Sequence, residues 1–277
     1  MQDAYDHCAA LVRETDKDRF LASLFAPANR RPHLFALYGF NVEIARVGQV
    51  VHEPLAGEIR LQWWRDALSG VAPGEAAANP VAAALLDTIA RCGLPAAPLD
   101  ALIDARARDL YDDPILTLSE LEVYGRATAS TLFGMAARIL DGGAAPDDVA
   151  DPAGVAYALA GLLKAFPRHA ARGRIYLPTE TLERHGVARP EVADGMASPG
   201  LRAALAEIAG QARERLAQAA GRWQSVTPAA RPAFLPLAGV APLLGRIERN
   251  SDPFVPIELP QWRRQWLLWR AARRGVF

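Results

Sequence analysis

The sequence predicts an all-α fold, on three observations. Apolar residues recur at helical spacing: Leu34, Leu37, Tyr38 and Ile44 share one face with Asn41, and Leu201, Leu205, Ile208, Ala212 and Leu216 share another. No run alternates as a strand would, and the abundant alanine and leucine favour helix. Proline and glycine then punctuate the pattern at Ala72-Pro73-Gly74, Gly93-Leu94-Pro95, Asp141-Gly142-Gly143, Ser198-Pro199-Gly200 and Thr227-Pro228.

Taken in order, helices are expected over 4–25, 31–50, 55–69, 79–91, 97–110, 119–140, 148–166, 201–223, 229–247 and 260–272. Ser119 to Glu122 reads as a capping box, a hydroxyl followed three residues later by a carboxylate, opening the 119–140 helix. Asp147 or Asp148 opens the next. Residues 168–200 read as irregular. No linker is long or low in complexity and no repeat is present, so residues 1–277 are read as one domain.

With 277 residues, 51% of them hydrophobic, the chain can build an ample core. The net charge is zero, so no bulk field draws it to nucleic acid, and no nucleic-acid partner is expected. Lys17 and Lys164 are its lysines; every other basic residue is arginine. Cys8 and Cys92 form no C-x-x-C pattern and no disulfide framework, which fits a reducing, cytoplasmic setting. The first eighteen residues are charged and carry no signal-peptide pattern. No uninterrupted apolar run reaches the length of a membrane span, since Pro236 and Pro242 break the stretch 232–245. A soluble protein, or one peripheral to the inner membrane, is expected.

Two segments carry the chemical information. The first is Ala36-Leu37-Tyr38-Gly39-Phe40-Asn41 followed by Ala45-Arg46-Val47-Gly48-Gln49. The second is Leu162-Leu163-Lys164-Ala165-Phe166-Pro167-Arg168-His169 followed by Gly173-Arg174-Ile175-Tyr176-Leu177-Pro178. With Arg19-Phe20, Trp63-Trp64, Asp109, Tyr124, Ala129, Thr131, Arg246-Ile247-Glu248-Arg249 and Leu259-Pro260-x-Trp262-Arg263, they give the chain a resemblance to the squalene/phytoene synthase family over most of its length. The resemblance implies a bundle of the isoprenoid-synthase type around a central cavity. It also implies that carboxylates on two facing helices would hold magnesium on a diphosphate, the metal neutralising the leaving group.

Those carboxylates are missing. Ala45, Arg46 and Gln49 stand where the family has its first acidic cluster, and Ala165, Arg168 and His169 where it has the second. Alanine removes a ligand; arginine also puts a cation where a divalent cation would sit. Two unit charges of like sign about 4 Å apart repel by about 4 kcal/mol at an effective dielectric of about 20, and a divalent ion doubles that. The expectation is therefore a non-catalytic relative with no catalytic residues, no metal ligands and no cofactor. Arg46, Lys164, Arg168, His169, Arg172 and Arg174 are its candidate anion-binding mouth, against the plainer reading of solvated surface charge. The alternative is a working prenyltransferase joining two isoprenoid diphosphates, with magnesium recruited through Asp109 or Glu43 or with arginines taking the diphosphate.

The resemblance further implies a cavity for an isoprenoid or other lipid-like ligand, lined by Phe40, Tyr38, Tyr124, Thr128, Thr131, Tyr157 and Gly161. Small residues crowd 125–137 and 153–163, for which tight helix packing is the favoured reading and an open cavity its competitor. The stretch 36–45 with Arg60-Leu61-Gln62-Trp63-Trp64 is similar to the branch of the family containing mitochondrial respiratory complex I assembly factors, which implies a respiratory-complex or membrane partner. Asp109, Asp112 and Asp113 read as ordinary acids at a helix end, and Asp100 and Asp104 share a face with nothing to complete a site. Finally, Trp262, Trp266 and Trp269 recur at helical spacing among Arg263, Arg264, Arg270, Arg273 and Arg274. Such a row is expected to pack on the bundle and leave the arginines wet, a membrane-facing row being the alternative.

Overall fold

A computed structural model describes the chain except residues 52, 72 and 143–146, and the backbone alone at 147. Ala72 and Gly143 of the predicted turns thus lie outside the described residues. Among the described residues the fold is helical throughout and holds no strand.

The predicted first helix divides into α1 (Gln2–Thr15) and α2 (Lys17–Ser23). Asp16 leaves helical geometry and its carboxylate accepts the Arg19 amide hydrogen at 3.2 Å, capping α2. The same carboxylate pairs with the Arg19 guanidinium at 2.7 Å. That cation is buried between the rings of Tyr38 (5.4 Å) and Tyr157 (4.9 Å). Next come α3 (Arg31–Val50), α4 (Pro54–Ser69), α5 (Pro73–Ala78), α6 (Pro80–Cys92) and α7 (Ala96–Ala107), the last running into a 3₁₀ turn over Arg108–Leu110. Proline occupies the first or second position of α3, α4 and α6, where its missing N–H costs nothing. Gly93 takes the left-handed conformation that ends α6.

The capping box lies two residues earlier than the Ser119–Glu122 expectation. Thr117 caps α8 (Leu118–Gly125) by accepting from the Glu120 amide at 3.1 Å, and Glu120 reaches back to the Leu116 amide at 2.8 Å. Glu122 is buried instead. It accepts two bonds from Arg215 (2.8 and 2.7 Å), one from Gln211 (2.8 Å) and one from Arg126 (3.1 Å). One π turn at Arg126–Ser130 joins α8 to α9 (Thr131–Asp141).

The axis of the bundle is α10 (Asp147–Ala170), which packs on α8, α9 and the π turn. Its stretch Asp148–Ala170 is long and apolar enough to cross a bilayer, but 61% of its most apolar window is buried inside the fold. Small residues set its approach. A Cβ on Gly154 would meet the Ser130 backbone at 2.2 Å, and one on Gly125 would touch Ala158 at 3.3 Å. Tight packing therefore holds at Gly125, Gly154 and Ala158, whereas a Cβ on Gly161 would meet open space.

Residues 168–200 contain two short helices, α11 (Thr179–Arg184) and α12 (Arg189–Ala193), before α13 (Pro199–Gly221), the main partner of α10. The single helix expected over 229–247 breaks into α14 (Arg231–Phe234), a 3₁₀ turn and α15 (Val240–Glu248), because Pro236 supplies no N–H to a continuing α-helix. The last element is α16 (Gln261–Arg274). The predicted inner faces of α3 and α13 are buried, with Leu216 half-buried.

Burial pushes the Glu122 carboxyl up, but the bonds from Arg215 and Gln211 and the charges of Arg215 and Arg126 outweigh it and hold the group below the ordinary glutamate value. Because the folded value is the lower one, this group stabilises the fold above the unfolded glutamate pKa, and the contribution fades as pH falls through the folded value. Glu122→Ala should cost on the order of 3 kcal/mol at neutral pH, by leaving Arg215 unpaired, and visibly less under acid conditions. Urea unfolding of both proteins across acid and neutral pH measures this.

Candidate functional site

Helical geometry brings Ala45, Gly48 and Gln49 to one face of α3, one turn apart. Opposite them stand Leu162, Arg168 and His169 from the C-terminal half of α10. The chain then reverses: the Arg172 and Arg174 amides both donate to the His169 carbonyl at 2.9 Å, and Gly173 supplies the left-handed residue this needs. The turn returns Arg172, Arg174 and Tyr176 to the same space. Arg106, Asp109 and Tyr124 form its floor, and the open cavity measures about 570 Å³.

Asp109 organises the floor. Its carboxylate accepts from the Tyr124 hydroxyl (3.0 and 3.1 Å), the Tyr176 hydroxyl (3.0 Å) and Arg106 (3.3 Å). Arg106 also donates to the Tyr124 oxygen at 2.6 Å, and Arg174 donates to the Asp109 carbonyl. Gly48 lets α3 come close, since a Cβ there would lie 2.8 Å from that carbonyl oxygen. Burial first, then the Asp109 charge, pushes the Tyr176 phenol up, and burial does the same to Tyr124. Both tyrosines therefore stay protonated and donate.

Among the described residues Asp109 is the one carboxylate lining this cavity, and Arg168 and Arg172 form no ion pair. The charge balance is cationic. His169 adds nothing to it at neutral pH: burial, and then the Arg168 cation, push its imidazole down to about 4. Its ring lies 4.7 Å from that of Tyr176. His169 Nδ1 and Arg106 Nε are buried without protein partners, so two of the lining residues have polar capacity to spare.

The donor set does not fit magnesium, which asks for an octahedron of hard oxygens. Ala45 and Gly48 offer no side-chain oxygen, Arg168 is a cation, and Asp109 already accepts from two phenols and a guanidinium. No group of three His, Cys, Asp or Glu side chains converges on a metal position among the described residues. Glu43, the other acid named for magnesium, faces a different groove.

The structure brings Arg168, His169, Arg172 and Arg174 of the candidate mouth together with Tyr124. It sends Arg46 elsewhere: one residue off the Ala45–Gln49 face, it is exposed and lines a groove of about 450 Å³ with Glu43, Arg60, Trp63 and Trp64. Lys164, Tyr157 and Gly161 line a second cavity of about 230 Å³ between α10, α15 and α16, reached also by Arg168 and Arg264. The other expected lining residues face neither cavity. Phe40 is fully buried against Trp64 (ring centroids 5.1 Å apart), and Tyr38 lies against Arg19. Thr128 and Thr131 turn their hydroxyls back to the Tyr124 and Arg126 carbonyls, at 2.7 and 3.3 Å, satisfying the π turn. Sequence reasoning missed Arg106 and Gly48 and set Asp109 aside; the signal for Gly48 was its place one turn from Ala45. Asp112 and Asp113 are exposed loop acids, as expected, and Arg65 pairs with both Asp100 and Asp104.

A histidine with a folded pKa near 4 lowers stability as pH drops from the unfolded value of about 6.5 towards 4. The His169 resonance, assigned by its loss in His169→Gln, should hold still in an NMR titration from pH 8 to about 5.5 and move near pH 4. The His169→Gln variant should lose on the order of 3 kcal/mol less stability than the wild type over the same acid range.

The Squalene/phytoene synthase family model matches residues 12–270. A human protein described as NADH dehydrogenase (ubiquinone) complex I, assembly factor 6 is 32% identical over 91% of this chain and 76% of its own length. The 15-cis-phytoene synthase of Synechococcus elongatus is 26% identical over 95% of this chain and 91% of its own. Among solved structures, squalene synthase HpnC from Alicyclobacillus acidocaldarius superposes with a TM-score of 0.75 at 25% identity, covering 92% of this chain and 96% of that one. A dehydrosqualene synthase reaches 0.80 at 20% identity, covering 99% and 97%. A cavity between two facing helices, set in this helical bundle and matched by a family model over nearly its whole length, identifies the chain as a member of the squalene/phytoene synthase family.

Proposed function

We propose that this chain is a non-catalytic member of its family, which binds an anionic, isoprenoid or other lipid-like ligand and assists the assembly of a respiratory complex. One observation carries the binding reading: a cavity of about 570 Å³ holds four arginines against a single carboxylate, Asp109, that is already hydrogen-bonded by Tyr124, Tyr176 and one of the four, Arg106. Guanidinium groups bind phosphate or carboxylate oxygens directly, in bidentate geometry, without a bridging metal. The volume lies within the range of small-molecule sites. The assembly reading rests on the relatives: the human and bovine proteins described as complex I assembly factor 6 are 32% and 31% identical to it over about nine-tenths of the chain.

A second reading, an active prenyltransferase, draws on the similarity to phytoene synthases. It would need the arginines alone to take up the charge of the departing diphosphate.

Pyrophosphate without metal should raise the thermal midpoint, by about 2.7 kcal/mol of stabilisation at a hundredfold excess over Kd, and Arg168→Ala should remove the effect. Purified protein given labelled farnesyl or geranylgeranyl diphosphate with Mg²⁺ and NADPH should form no hydrocarbon above a heat-killed control. Any such product, or a stabilisation that requires Mg²⁺, would overturn the non-catalytic reading. Disrupting the gene in its own host should deplete assembled complex I on native gels and the intact gene should restore it; unchanged complex levels would sink the assembly role.

A further inference from the structure

The tryptophan row of α16 is not in the core. Leu267, Leu268 and Ala271 are the buried residues of this helix, and Arg264 beside them pairs with Asp18 at 3.5 Å. At 100° per residue these four define the inward side. Trp262, Trp266 and Trp269 fall on the opposite side and are 69%, 46% and 48% exposed. The expectation that this row packs on the bundle is therefore overturned. Two apolar rows share the helix, and the leucine row takes the bundle.

We propose that the outer face of α16 is an interfacial anchor that lays the protein on an anionic lipid bilayer. Three observations point to a bilayer. First, the charge is local and of one sign: besides the inward, ion-paired Arg264, α16 carries Arg263, Arg270, Arg273 and Arg274 and no acid, while the whole chain is neutral. Second, the tryptophans form a straight row about 10 Å long on a convex helix, a shape that meets a plane rather than a pocket. Indole rings prefer the headgroup level of a bilayer, where an apolar body and a polar N–H are both accommodated. Third, arginine and tryptophan are paired: Arg270 lies over the Trp266 ring at 4.7 Å and Arg273 over Trp269 at 5.0 Å. Each pair sets a cation for lipid phosphate beside a ring for the acyl boundary.

Other apolar side chains are exposed near the end of α16. Phe25, 42% exposed, shares a cavity of about 280 Å³ with Ala272 and Val276, and Val276 is itself 38% exposed. A second copy is the poorer occupant, because a two-fold contact across this face would oppose arginines with arginines. Protein hot spots, moreover, usually sit in pockets. The proposal is independent of what the interior cavity binds.

The test is sedimentation of the full chain with vesicles of phosphatidylcholine alone or mixed with phosphatidylglycerol. The wild type should sediment with the mixed vesicles about tenfold more strongly than with the neutral ones, and salt should weaken this. A Trp262→Ser, Trp266→Ser, Trp269→Ser variant should lose the binding. Arg270→Gln with Arg273→Gln should weaken the binding severalfold and reduce its salt dependence. All five side chains are exposed, so circular dichroism and thermal midpoint should match the wild type. If the wild type stays in the supernatant, or the tryptophan variant sediments like it, the proposal fails. A dimer or a complex with a soluble acidic protein that depends on the three tryptophans, with vesicles ignored, would overturn it in favour of a protein interface.

Discussion

The site depends on how Asp109 spends its lone pairs. A carboxylate in a half-buried cavity needs partners, and two neutral phenols and a guanidinium provide them. That leaves the negative charge committed to the floor and the cations of Arg168 and Arg172 uncompensated above it. An electrostatic field of this sign disfavours a divalent cation and favours an oxyanion, which is the basis of the proposed ligand class. On that proposal, Ala45, Gln49, Arg168 and His169 at the facing positions change what the cleft attracts, while the fold that makes it persists.

The scaffold accommodates this because its packing is settled elsewhere. Gly154 against Ser130 and Gly125 against Ala158 lock α10 to α8 and the π turn at van der Waals contact. The pair of buried Glu122 with half-buried Arg215 ties α8 to α13. About two turns beyond Gly154 on α10 the small-residue pattern continues, yet at Gly161 nothing fills the space a side chain would take. Close packing and an open cavity thus alternate along one helix. What differs is whether the facing element presents backbone, as the π turn does, or stands back, as α15 and α16 do around the second cavity.

That second cavity joins interior and surface. Arg168 lines both cavities, while Arg264 and Leu268 of α16 reach the second from the side opposite the exposed tryptophans. One helix thus contributes its leucine row to the bundle, its Arg264 to a cavity rim and its tryptophan row to the outside.

The sequence by itself determined the helical class, most helix positions and the family, because periodicity, proline placement and motif context are local properties. It also placed Arg168, Arg172, Arg174 and Tyr124, which travel with the motifs. Direction was the part it could not carry. Arg46 is one residue from Ala45, and that 100° step moves it into another groove. Asp109 looked like a loop acid until Tyr176, 67 residues away, donated to it. Leu267 and Leu268 with Ala271, and Trp262 with Trp266 and Trp269, are both apolar sets at helical spacing. Only the packing of α16 on its neighbours decided which row is buried, because a helix with two apolar faces records in its sequence what it can bury and not which partner it meets.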